Sequence, residues 1–71
     1  MGTKINYQKE SGVYRISVNA HGIMFEAFAT NIKIAARELC DTMASNIGGY
    51  EALNSNFPNL FNDIVNMEGA A

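Results

Sequence analysis

Three runs in the first thirty residues can be laid side by side as antiparallel strands sharing the same two faces, and this is the tightest constraint in the chain. With His21-Gly22 as a two-residue turn, Ala20 stands opposite Ile23, Val18 opposite Phe25, Ile16 opposite Ala27 and Tyr14 opposite Ala29. With Lys9-Glu10-Ser11-Gly12 as the preceding loop, Tyr7 stands opposite Tyr14 and Ile5 opposite Ile16. All these residues fall on one side, because side chains alternate and a one-residue slip would turn the apolar set to water. The other side carries Lys4, Asn6, Gln8, Arg15, Ser17, Glu26 and Thr30, interrupted by Val13, Met24 and Phe28. Strands are therefore predicted over about 3–8, 13–20 and 23–30, in the order 1-2-3.

After the strands the apolar period changes from two to 3.6. Thr30-Asn31 supplies side-chain acceptors for the free amides of a first helical turn. Ile32, Ala35, Ala36, Leu39, Cys40, Met43 and Ile47 then form one stripe, and Gly48-Gly49 ends it. Tyr50 to Leu53 allows one helical turn, Asn54-Ser55-Asn56 reads as a loop, and Pro58 suits the first turn of a second helix. In that helix Leu60, Phe61, Ile64 and Val65 recur at helical spacing, with Phe57 as a staple before them, and Glu68 to Ala71 reads as a frayed tail. The prediction is a single α+β domain over 1–71: a three-stranded antiparallel meander, a long helix at about 31–47 and a short C-terminal helix at about 57–67. Tyr14, Ile16, Val18, Phe25, Ile32, Leu39 and Met43 form the expected core.

Seventy-one residues with one cysteine admit no intrachain disulfide and no zinc site built on several thiolates. With a single histidine as well, no metal or cofactor is expected, and a chelator should leave the melting temperature unchanged. No apolar run exceeds three residues, so neither a transmembrane helix nor a signal-peptide apolar region is expected, and the lone thiol suits a reducing, cytoplasmic setting. The net charge of −2 is unevenly placed. All five basic residues precede residue 38 against two acidic ones, and the remainder carries five acidic residues and no base. Such a split suits a macromolecular contact or a chance sorting of few charges.

No residue set demands a particular chemistry. His21 sits at a turn tip, with no orienting partner for a catalytic base. Cys40 lies on the flank of a helix stripe near acidic neighbours, which oppose a reactive thiolate. Only a deep polar pocket around it would favour catalysis. Glu38 and Asp41 are three apart on a solvated helix face, and Gly48-Gly49 follows a helix rather than opening one on a phosphate. The chain is expected not to be an enzyme.

Three strands and a helix over Gly12 to Ile47, with the turn His21-Gly22 and the helix start Ile34-Ala35-Ala36-Arg37, resemble the C-terminal part of a double-stranded-RNA-binding domain. The resemblance implies a small nucleic-acid-associated regulator. The chain departs from that family in lacking its first helix and its lysine cluster at the helix start, where Lys33 stands alone beside Asn31 and Ile32. Phosphate contacts dominate such affinity, so binding to nucleic acid is expected to be weak or absent. The residues themselves favour protein binding instead. Val13, Met24 and Phe28 project from the polar side of the sheet, with Arg15 opposite Phe28 and Glu26 on the same side; a methionine, an aromatic and an arginine together suit an interface anchor. The alternative is that the second helix folds over them. Ile34 lies away from the main helix stripe and is a further candidate. In overall architecture the whole chain resembles the small inhibitors made by phages and other mobile elements, anti-CRISPR proteins among them. That resemblance implies a non-enzymatic module occupying a surface on a host protein complex. A homodimer through strand 23–30 is the other partner reading, and no membrane partner is expected.

Overall fold

A computed structural model describes residues 4–70 of the chain, with side chains as far as Glu68. The elements are β1 (Ile5–Glu10), β2 (Val13–Ala20), β3 (Ile23–Ala29), α1 (Ile32–Ile47), α2 (Tyr50–Asn56) and α3 (Leu60–Ala70). The strands make one antiparallel sheet in the order β1-β2-β3, so the fold is the expected α+β meander followed by a long helix and shorter ones. The expected start of the first strand at residue 3 lies outside the described residues.

The β2–β3 pairs are those read from the sequence, from Ala20↔Ile23 to Tyr14↔Ala29. The β1–β2 register is different. Ile5 pairs with Val18 and Tyr7 with Ile16, and the strand runs on through Lys9↔Tyr14 and Glu10↔Val13. The connection is Ser11-Gly12 alone, with φ of 53° and 79°, nearly the backbone of His21-Gly22 at 54° and 79°. Two successive positive-φ residues make the turn whose twist matches that of the strands it joins. A four-residue loop would have left Lys9 and Glu10 unpaired, whereas this turn brings both into the ladder. The shift is two residues, so Ile5 and Tyr7 remain on the core face. Asparagine is better suited than serine to the first position of such a turn. Ser11→Asn is therefore expected to stabilise the chain by a few tenths to about 1 kcal/mol; a lower denaturant midpoint would contradict this turn.

The N-terminus of α1 is capped by Asn31, whose Oδ1 accepts from the amides of Lys33 at 2.8 Å and Ile34 at 3.3 Å. The helix lies on β2 and β3 by one side and meets α2 and α3 by another. Its buried set is accordingly wide: at about 100° per residue, Ala35, Leu39, Ile32, Met43, Cys40 and Ala44 cover about half its circumference. All seven residues of the expected core are buried, and Leu53, Leu60 and Ile64 complete it from α2 and α3.

The C-terminal third departs from expectation in four places. Residues 54–56 are helical, since α2 runs from Tyr50 to Asn56. Leu53 is buried in the common core, and Asn56 Nδ2 donates to the Ala52 carbonyl at 2.8 Å, so docking holds an asparagine-rich stretch that propensity alone would release. Gly49, at φ 104° and ψ 176°, occupies backbone open in practice only to glycine, which lets α2 begin at once. Pro58 does not open a helix. It precedes Asn59 at φ 67° in a turn closed by the Leu60 amide on the Phe57 carbonyl at 3.2 Å, the proline-then-positive-φ pattern of a type II turn, and α3 starts at Leu60. Phe61, expected in the buried stripe, is 39% exposed. Glu68, expected in a frayed tail, is held in α3, where it accepts a hydrogen bond from the Tyr14 hydroxyl.

Candidate protein-interaction site

Alternation along β2 and β3 sends Val13, Arg15, Met24, Glu26 and Phe28 to the face opposite the core. The helix expected to fold over them goes elsewhere: α3 packs on α1, on the core side of the sheet. Val13, Met24 and Phe28 are consequently 37%, 57% and 53% exposed. Arg15 Nε donates to Glu26 Oε2 at 3.0 Å, and its guanidinium lies 5.5 Å from the centre of the Phe28 ring, directly across the strand pair. An exposed pair of this kind contributes about 0–1 kcal/mol to stability, so its effect is to hold Arg15 flat against the sheet. A shallow hollow of about 290 Å³ runs beside the pair, bordered by Asn6, Gln8, Ser17 and Met24, and a second of about 240 Å³ lies between Val13 and Phe28. The structure thus brings five of the six candidate residues together. Ile34, 53% exposed, stands apart from them on α1, with the sheet between.

The edge of β3 belongs to the same surface. In the turn at His21-Gly22 the Ile23 amide faces the Ala20 carbonyl, so alternation points the amides of Phe25 and Ala27 toward β2 and those of Met24, Glu26 and Phe28 outward. Among the described residues those outward groups have no neighbouring strand, because β3 is the last strand of the sheet β1-β2-β3. The three residues with free backbone groups are also the ones whose side chains lie on the open face. Charge, proline and bulges are the usual guards of such an edge. Along Ile23–Ala29 there is one charge, Glu26, and no proline. On β1 the same alternation leaves Ile5, Tyr7 and Lys9 at the edge, where the Lys9 ammonium lies 4.9 Å above the Tyr14 ring and supplies a charge.

A second feature, unread in the sequence, is a groove of about 320 Å³ where α1, α2 and α3 meet. Cys40, Leu53 and Leu60 are its buried floor. Arg37 and Cys40 lie three apart on the flank of α1, but the turn at Pro58-Asn59 that brings α3 beside them carried no signal legible beforehand. Burial pushes the Cys40 thiol above its ordinary pKa, and the neighbouring Asp41 carboxylate pushes it the same way. A thiol so held is poor in the thiolate a nucleophile needs. Its proton is bound more tightly in the folded chain than in the unfolded one. The stability this gives is complete below the unfolded pKa and lost as the pH rises through the folded value. At neutral pH a thiol reagent is expected to label the native chain at least tenfold more slowly than the urea-unfolded chain, and equal rates would contradict the burial. His21 sits in its turn beside Phe57, 6.3 Å between ring centres with the rings nearly perpendicular.

Among the described residues no three of His, Cys, Asp and Glu are grouped to hold a metal ion, and no helix is long and apolar enough to cross a membrane. Glu38, Asp41, Glu51, Asp63 and Glu68 all lie exposed on the helices, so the acidic half of the sequence is the helical layer. No family model, curated protein or solved structure matches this chain.

Proposed function

We propose that the chain is a non-enzymatic protein-binding module whose contact surface is the open face of the sheet together with the β3 edge. The observation that carries the reading is the coincidence at Met24, Glu26 and Phe28 of unpaired backbone groups with exposed side chains, on a strand whose neighbours offer no cover. The first occupant is a second copy of the chain. Two β3 strands pair antiparallel about a two-fold axis, the closed symmetry of most dimers. Centring that axis on Ala27 sets Glu26 of one copy across from Phe28 of the other, whereas centring it on Glu26 would oppose two carboxylates at the cost of like-charge repulsion. The product is a continuous six-stranded sheet carrying both Arg15–Phe28 clusters on one wide face. It adds burial that a 71-residue chain has little of by itself.

The likeness to small inhibitors of mobile elements extends the proposal: the widened face is the one that occupies a host protein complex. Nucleic acid is the weaker reading. The basic residues are divided between the sheet and the residue before it (Lys9, Arg15 and Lys4) and α1 (Lys33, Arg37) instead of forming one stripe.

Sedimentation at micromolar concentration tests the module's self-pairing. The natural chain is expected to be a dimer. Glu26→Pro removes one outward amide at an edge position where proline is tolerated, so it is expected to give a folded monomer. A natural chain that stays monomeric when concentrated, or a dimer untouched by the proline, would overturn the proposal.

A further inference from the structure

The groove between the helices has a chemistry unlike its surroundings. From residue 38 onward the chain carries five carboxylates and no basic group, yet none of the five lines the groove. Its rim collects Arg37, Tyr50, Phe61, Asn54, Asn59 and Asn62 over the buried apolar floor. Arg37 is exposed and makes no ion pair among the described residues, Asp41 one turn further on included. Tyr50 and Phe61 are 48% and 39% exposed, and both turn toward this one hollow rather than being scattered over the surface. A cation without a partner, several neutral polar side chains and two aromatic side chains over an apolar floor are what an anion attached to a flat apolar group requires. The volume of about 320 Å³ lies near the lower end of the range for ligand pockets, which limits the apolar part to about one ring.

From this juxtaposition we infer that the groove binds a carboxylate borne on a single aromatic ring, with the carboxylate on Arg37 and the asparagine amides and the ring between Tyr50 and Phe61. The arrangement separates the roles. Arg37 and the amides select for the negative charge, and the aromatic walls select for the ring. No residue of β3 lines the groove, so the site does not depend on self-pairing.

Phenylacetate, phenylacetamide and acetate distinguish these contributions, read as shifts of the Asn54, Asn59 and Asn62 side-chain amides in nuclear magnetic resonance spectra. Phenylacetate is expected to shift all three saturably. Phenylacetamide, with the ring but no charge, and acetate, with the charge but no ring, should each bind at least tenfold more weakly. Arg37→Gln changes an exposed side chain and leaves the fold intact by circular dichroism. It is expected to weaken phenylacetate at least tenfold and to leave phenylacetamide unchanged. N-acetylphenylalanine tells the two sources of such a group apart: tighter binding than phenylacetate assigns the groove to the end of a peptide chain, and weaker binding assigns it to a free acid. Equal binding of phenylacetate and its amide, an Arg37→Gln variant with unchanged affinity, or shifts confined to the open sheet face would overturn the inference.

Discussion

Leu39→Ala is expected to cost about 2–5 kcal/mol and to leave a large fraction of the chain unfolded at room temperature. Leu39 is wholly buried in the common core, on the helix that packs against β2 and β3. Its neighbours in the cluster include Ile16, Val18 and Met43, all at 0% exposure, so little room exists for the site to collapse around the lost methyl groups. Ala35 and Ala36 on the same helix are already minimal and cannot fill the space by changing rotamer. A small domain has only a few kcal/mol to lose. Urea unfolding followed by circular dichroism measures the effect. A loss below about 1 kcal/mol would mean that α1 does not bury Leu39 in the core.

Phe28→Lys should have the opposite profile, with little effect on the monomer and a large one on association. Phe28 is 53% exposed and has the Arg15 guanidinium over its ring, a contact worth about 0.5–1 kcal/mol. The core is unchanged by the substitution. In the paired state each copy contributes one Phe28, so the dimer loses two aromatic anchors of about 1–2 kcal/mol each and gains two ammonium groups at the seam. The dissociation constant is expected to rise by roughly tenfold to several hundredfold. Glu26 of the other copy would meet the new lysine, and that attraction recovers about 1 kcal/mol at most in so exposed a place. Sedimentation of the variant at the concentration where the natural chain is dimeric reads the change. Retained dimer would move the interface away from β3, and an unfolded variant would contradict the exposure of Phe28.

The sheet was legible because its alternation is repeated three times and the apolar residues of β2 and β3 meet in one register only. The β1 register was missed for a local reason. Ser11 is not a strong turn signal, and the two-residue slip changes no residue's face, so periodicity could not detect it. α1 was legible from its cap at Asn31, its stripe and its closing glycines. The segment after Gly49 was less so, because α2 is a short, asparagine-rich helix sustained by the burial of Leu53, and burial by distant elements leaves no local mark. Pro58 serves a helix start and a type II turn equally well, and the positive φ of Asn59 decides between them. The open-face candidates followed from the same alternation as the core. The helical groove depends on how three helices meet, and no spacing along the chain encodes that.

Amide hydrogen exchange across a concentration series tests the claim about β3 most directly. In dilute solution Met24, Glu26 and Phe28 are expected to exchange quickly while Phe25 and Ala27, directed toward β2, exchange slowly. As concentration rises into the dimeric range, Glu26 and Phe28 should become protected together, with the slow residues unchanged. Protection of all three outward amides at the lowest concentration, or fast exchange persisting at the highest, would contradict an edge that is open in one copy and closed by a second.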